Sequence, residues 1–164
     1  MIDGIDREIL TILRNDASTT KAEIARRVGL VASAVSERVR RLEADGVIAG
    51  YEARLDPHLL GKPLLAFVFV TDAKPNHGFD VAAALTGVTG LEELHKIAGD
   101  DCYLLKIRAA DTDELNSIIE REINVVEAVT RVRTTIVLRP VTERPPLAGH
   151  DLQQPEAVGR AATP

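Results

Sequence analysis

The stretch Lys21 to Gly46, KAEIARRVGLVASAVSERVRRLEADG, limits the fold more than any other part of the chain. Ile24, Ala25 and Val28 fall on one face of a first helix, and Val35, Val39 and Leu42 on one face of a second, at helical spacing. Gly29 between them suits a turn residue with positive φ, and Ala25 is small enough for the two helices to cross closely. The pattern is a helix-turn-helix. Opposite the apolar stripe of the second helix lie Ser33, Glu37, Arg40 and Arg41, flanked by Ser36 and Arg38. A helix face of short polar and guanidinium groups fits the major groove of DNA, where arginine reads guanine bidentately or pairs with phosphate and Glu37 can accept from cytosine. The competing reading of the same face is a solvated surface with an i,i+4 pair between Glu37 and Arg41.

Overall charge argues against DNA at first sight, with a net −5 and a pI near 5.4. Local charge reverses this. Between Lys21 and Arg41 six basic residues face only Glu23 and Glu37, a balance of +4. Screening limits the field of distant acids to roughly 8 Å at physiological salt. Upstream, Ile2, Ile5, Ile9, Ile12 and Leu13 form another helical stripe, with Asp3 as N-cap and Asp6 three positions on as its capping-box partner. Thr19 or Thr20 can cap the next helix, and Asp45-Gly46 closes the three-helix unit.

Residues 1–50 are therefore read as a DNA-binding domain and 51–63 as an extended hinge, broken by Asp56-Pro57 and Gly61-Lys62-Pro63. From Leu64 the period changes. Strands are predicted at Leu64–Val70, Leu91–Ile97, Cys102–Arg108 and Val129–Leu138, with helices at Asp80–Leu85 and Thr112–Ile123. The order βαββαβ over 64–141 makes the chain α+β, a three-helix helix-turn-helix domain followed by a ferredoxin-like domain. Leu64 to Val70 is apolar on both faces, whereas two helices cover only one face of a four-stranded sheet. A second copy is the economical cover, giving a two-fold homodimer, with the chain's own linker as the other candidate. Residues 142–164, rich in proline and poor in large apolar side chains, read as a flexible tail.

Cys102 is the single cysteine, so no disulfide forms within the chain and a reducing cytoplasm is the simple expectation. The longest apolar run is too short for a membrane span. His58, His77, His95 and His150 show no metal-ligand spacing, so neither a metal nor another cofactor is expected.

Several segments in one register, IDREIL from Ile5, EIARRVGL from Glu23, AVSERVRRLEADGVIAGY from Ala34, LDP from Leu55 and AGDDCYLLKIR from Ala98, closely resemble the Lrp/AsnC feast/famine transcription regulators over about residues 2–140. The resemblance implies a winged or simple helix-turn-helix domain and a βαββαβ domain that dimerises and binds a small effector, usually an amino acid. It also implies dimers that assemble further, to tetramers or octamers. The turn Gly99-Asp100-Asp101-Cys102-Tyr103 corresponds to the family's effector loop, with Thr134, Thr135 and Ile136 on the last strand completing the pocket.

Chemically, an acidic side chain there can accept an ammonium and turn N–H groups can meet a carboxylate, though Gly-Asp-Asp alone is also an ordinary hairpin turn. Two departures from the family stand out. Val31 replaces the usual serine cap of the second helix, leaving Ser33 to cap a later start. Asp101 and Cys102 replace an aromatic residue and an aspartate, which in a strand moves the acid to the opposite face. The leading expectation is a DNA-binding regulator with DNA, itself and a small effector as partners. The alternatives are an enzyme like the siroheme decarboxylases, which share the fold, and an effector-independent architectural DNA-binding protein.

Overall fold

The computed structural model describes residues 2–73, 80–141 and 143, and the chain divides into two compact units that meet in sequence between Arg54 and Leu55. Apart from Glu143, the tail expectation for 142–164 falls outside the described residues.

The N-terminal unit contains α1 (Gly4–Asn15), α2 (Lys21–Val28) and α3 (Ala32–Ala44). Each begins where a polar side chain or an extended residue stops the preceding loop. Asp3 caps α1 in a complete capping box, its carboxylate accepting from the Asp6 N–H at 2.8 Å while Asp6 accepts from the Asp3 N–H at 3.1 Å. Thr20 caps α2 by accepting from the Glu23 N–H. Gly29 ends α2 at φ 71°, a left-handed conformation that glycine enters without Cβ strain. Ile9, Leu13, Ile24, Ala25, Val35 and Val39 form the core, so each helix contributes the stripe its spacing predicts.

The segment expected as an extended hinge, 51–63, forms no strand. No strand forms between residues 2 and 54, so the described unit carries no β-hairpin wing. Instead the Val47 and Ile48 N–H groups bond back to the Leu42 carbonyl, and the Tyr51 hydroxyl donates to Glu43 at 2.8 Å. Burial, then the Glu43 carboxylate, pushes the Tyr51 phenol up to about 12.

The second unit holds β1 (Leu64–Asp72), α4 (Val81–Leu85), β2 (Leu91–Lys96), β3 (Tyr103–Ala109), α5 (Thr112–Ile118), a π-helical turn (Ile119–Ile123) and β4 (Val129–Ile136). The sheet is antiparallel in the order β2-β3-β1-β4, the ferredoxin-like arrangement. Val68 pairs with Leu105 on one side and Thr134 on the other, which places β1 at the centre. Ala66, Val68 and Val70 of β1, with Tyr103, Leu105, Ile107 and Ala109 of β3, face Val81 and Leu85 of α4 and Leu115 and Ile118 of α5. Burying each of the large aliphatic side chains contributes about 1.5–3 kcal/mol.

The opposite face carries Leu65, Phe67, Phe69 and Leu104. Leu65 is buried, while the two phenylalanines and Leu104 are only half-buried. The link from β2 to β3 closes with the Ile97 N–H donating to the Cys102 carbonyl at 2.9 Å. Gly90 sits at φ 71°, and a Cβ there would lie 2.1 Å from the Arg108 carbonyl oxygen. No helix among the described residues is long and apolar enough to cross a membrane.

Candidate DNA interface and effector turn

On α3, Val35, Val39 and Leu42 are buried, and Ser33, Glu37 and Arg40 are exposed on the other side. The polar face is thus presented by the same apolar stripe that anchors the helix. Ser36 is half-buried and its hydroxyl donates to the Ala32 carbonyl at 2.9 Å, so it begins as a back-bonded side chain. The expectation that Ser33 starts a later helix is corrected: α3 begins at Ala32, Val31 is the N-cap with extended backbone, and no side chain caps the first turn. Val31 itself is 67% exposed, so its side chain packs little in place of a cap.

Arg38 and Arg41 occupy positions that periodicity alone did not reveal. Asp6 is fully buried, and its two carboxylate oxygens accept from Arg38 Nη1 at 2.8 Å and Arg41 Nη2 at 2.6 Å. Arg38 Nη1 also donates to Asp3 at 2.6 Å. These bonds hold the Asp3 carboxyl below its ordinary range, with Arg38 the main cause and the Asp6 N–H the next, and they raise Arg38 further. The capping box of α1 is therefore also the anchor of two arginines from α3. The i,i+4 pair between Glu37 and Arg41 does not form, because Arg41 reaches Asp6 instead. Leaving the buried Asp6 carboxylate without a cation would cost on the order of 3–5 kcal/mol.

A signal for this was present in the sequence. Asp6 lies three residues before Ile9 and seven before Leu13, on the inward stripe, where an acid needs a cationic partner.

On α2 the pairing is similar but at the surface. Glu23 accepts from Arg26 at 2.7 and 2.9 Å and from Arg27 at 2.7 Å, which holds its carboxyl down to about 2. Bringing Asp3 and Asp6 against α3 lowers the local balance of the candidate DNA face from +4 to +2. Arg40 and Lys21 carry no hydrogen bond or ion pair among the described residues, and Arg40 is exposed.

In the second unit the residues expected at the effector site divide among three environments. Gly99 (φ 137°) and Asp100 lie exposed in the turn. Asp101 is 7% exposed and already partnered: Arg133 Nη2 donates at 2.7 Å and the Thr71 hydroxyl at 3.2 Å, with Arg131 at 3.7 Å. Its carboxyl is held low chiefly by Arg133. The Arg133 guanidinium in turn stacks over the Phe69 ring at 3.9 Å. Asp101 precedes β3 rather than standing within it, so strand alternation does not determine where it points.

Tyr103 is a core residue at 6% exposure, its phenol raised first by burial, and Cys102 packs partly against the same core. On β4, Thr134 and Ile136 pair with Val68 and Ala66, whose side chains face the helices. Thr135 pairs with Phe67 on the opposite face. The three residues therefore do not share one surface, because successive strand residues alternate. His95 contacts Glu93 at 2.9 Å, and no cluster of metal-ligating side chains occurs among the described residues.

A helix-turn-helix unit with an exposed polar helix, joined to a four-stranded ferredoxin-like unit, defines a DNA-binding regulator with a separate ligand-binding domain. Residues 2–49 match the winged helix-turn-helix DNA-binding family, and residues 65–147 match the Lrp/AsnC ligand-binding domain. The chain is 39% identical over 137 residues to the HTH-type transcriptional regulator LrpA of Mycobacterium tuberculosis, covering 84% of this chain and 90% of that one. It is 38% identical over 138 residues to LrpA of Pyrococcus horikoshii, covering 84% and 97%. Among solved structures, it resembles the feast or famine regulatory protein of M. tuberculosis complexed with L-methionine, with a TM-score of 0.81 and 37% identity, over 87% of this chain and 96% of that chain. The chain belongs to the Lrp/AsnC family: it is a DNA-binding transcriptional regulator, and its relatives' common role as regulators sets aside the decarboxylase alternative.

Proposed function

We propose that the chain reads DNA through α3, with Ser33, Glu37 and Arg40 at base edges and Ser36 and Lys21 at the flanking backbone, while Arg38 and Arg41 reach phosphate only by exchanging their ion pairs with Asp3 and Asp6. The observation that carries this reading is the exposure of Ser33, Glu37 and Arg40 on a helix whose other side is locked into the core. The protein acts as a homodimer. Half-buried Phe67 and Phe69, together with exposed Leu59, Leu60, Leu138 and Val141, leave the second unit with apolar surface that a second copy would cover. Larger assemblies of such dimers fit the same surface chemistry.

The effector is a small molecule, an amino acid or related metabolite, bound at the Gly99–Tyr103 turn. A relative that binds L-methionine supports this class of ligand. Because Arg133 occupies Asp101, exposed Asp100 is the acidic group left to accept an ammonium. A thermal-shift panel of amino acids tests the effector reading. One ligand should stabilise the chain, by about 2.7 kcal/mol at roughly a hundred times its dissociation constant, and Asp100→Ala should remove that shift. If no amino acid moves the transition, the effector reading falls and the chain acts on DNA architecture alone.

A further inference from the structure

We propose that Asp6, assisted by Asp3, is a specificity-determining residue for DNA binding: it withdraws the charge of Arg38 and Arg41 from passing phosphates and so weakens binding to unrelated sequence. The proposal rests on the reading of α3 as the DNA face. Four groups make up the cluster, Asp3 and Asp6 against Arg38 and Arg41, and its formal charge sums to zero. Every ion pair in it joins α1 or its N-cap to α3, at 2.6 to 2.8 Å. Asp6 has no access to water, so its carboxylate cannot be solvated when an arginine leaves it. A phosphate that takes Arg38 or Arg41 must therefore strip a buried anion of one of its two cationic partners. Arg40 carries no such tie and serves DNA at no cost to the core.

Non-specific affinity comes almost entirely from the number of phosphates neutralised. Holding two of the guanidiniums in an internal neutral cluster lowers that number without touching the side chains that read bases. The sequence logic agrees, since the chain is acidic overall and leaves the paired arginines on the same helix as the exposed reading residues.

The test is a salt titration of binding to a duplex of unrelated sequence, alongside the chain's own upstream DNA. The full-length chain is compared with Asp6→Asn, Asp3→Asn and Glu8→Gln. Asp3→Asn guards against a folding failure in Asp6→Asn, because asparagine caps a helix as well as aspartate. Glu8 is exposed on the same helix α1 and has no ion-pair partner among the described residues, so Glu8→Gln removes one charge and frees no arginine.

In Asp3→Asn and in folded Asp6→Asn, binding to unrelated DNA should tighten, and its slope against salt should steepen by about 0.9 for each charge released. That is an extra loss of about 3.5-fold between about 50 and about 200 mM salt. The preference for the upstream DNA should fall in the same variants, and Glu8→Gln should leave the slope unchanged. Unchanged or weaker non-specific binding in Asp3→Asn, or an equal change in Glu8→Gln, would overturn the proposal. Failure of the wild-type chain to bind its upstream DNA would instead overturn the reading of α3.

Discussion

Replacing Val31 by serine should stabilise the N-terminal unit, and the size of the gain follows from the first turn of α3. Val31 is the N-cap, with φ −85° and ψ 152°, the extended geometry in which a serine hydroxyl reaches the N–H two or three residues on. No side chain performs that role now. Supplying the cap contributes about 1 kcal/mol. Against this, Val31 is 67% exposed, so about a third of its surface returns to water, a loss of about 0.5 kcal/mol from the roughly 1.5 kcal/mol of a fully buried valine.

The net gain is about 0.5 kcal/mol. In a domain of this size that raises the transition by about 2–4 °C, which circular dichroism at 222 nm follows through the three helices of the unit. Hydrogen exchange at Ser33 and Ala34 should slow together with it. Val31→Asp gives a second reading: it caps equally and favours the positive end of the helix, but it places an acid beside the DNA face and should weaken binding. An unchanged or lower transition in Val31→Ser would refute the reasoning, because it would mean that the exposed valine contributes more than the missing hydrogen bond.

Gly90→Ala should destabilise the second unit by more than about 2 kcal/mol, since a left-handed backbone is combined with a Cβ 2.1 Å from the Arg108 carbonyl oxygen; denaturant unfolding measures it. If the proposed homodimer forms through this face, Phe67→Asp should leave a monomer in sedimentation analysis, with the fold retained because Phe67 lies off the helix-side core. Acid titration should expose the arginine-held carboxylates. Glu23 has a folded value of about 2, below its ordinary 4.5, so its contribution is complete above 4.5 and is lost as the pH falls toward 2. Glu23→Gln should flatten that part of the stability profile.

Much of this architecture was legible from spacing. The stripes of α1, α2 and α3, the capping box at Asp3 and Asp6, the turn at Gly29 and the βαββαβ order all follow from periodicity and local chemistry, and the structure has each of them. What spacing does not carry is pairing between elements distant in sequence. Arg38 and Arg41 share a helix surface with Arg40, yet only contact with α1, more than thirty residues upstream, distinguishes them. Thr134, Thr135 and Ile136 are consecutive, so strand alternation already separates Thr135 from the other two, but only the register against β1 shows which of the two faces meets the helices. The partnering of Asp101 by Arg133 is of the same kind: the turn is visible in the sequence, whereas the cation that occupies it comes from β4.

The claim at the centre is that α3 reads DNA through an exposed face on which Arg40 is the untied cation. Fluorescence anisotropy of the chain's own upstream duplex, titrated with salt for wild type and Arg40→Ala, tests it most directly. Wild-type affinity should fall linearly on logarithmic axes, and Arg40→Ala should bind the upstream duplex more weakly by about 1–3 kcal/mol, with a reduced preference over unrelated sequence and an unchanged thermal transition. Binding by Arg40→Ala equal to wild type at every salt concentration would contradict it.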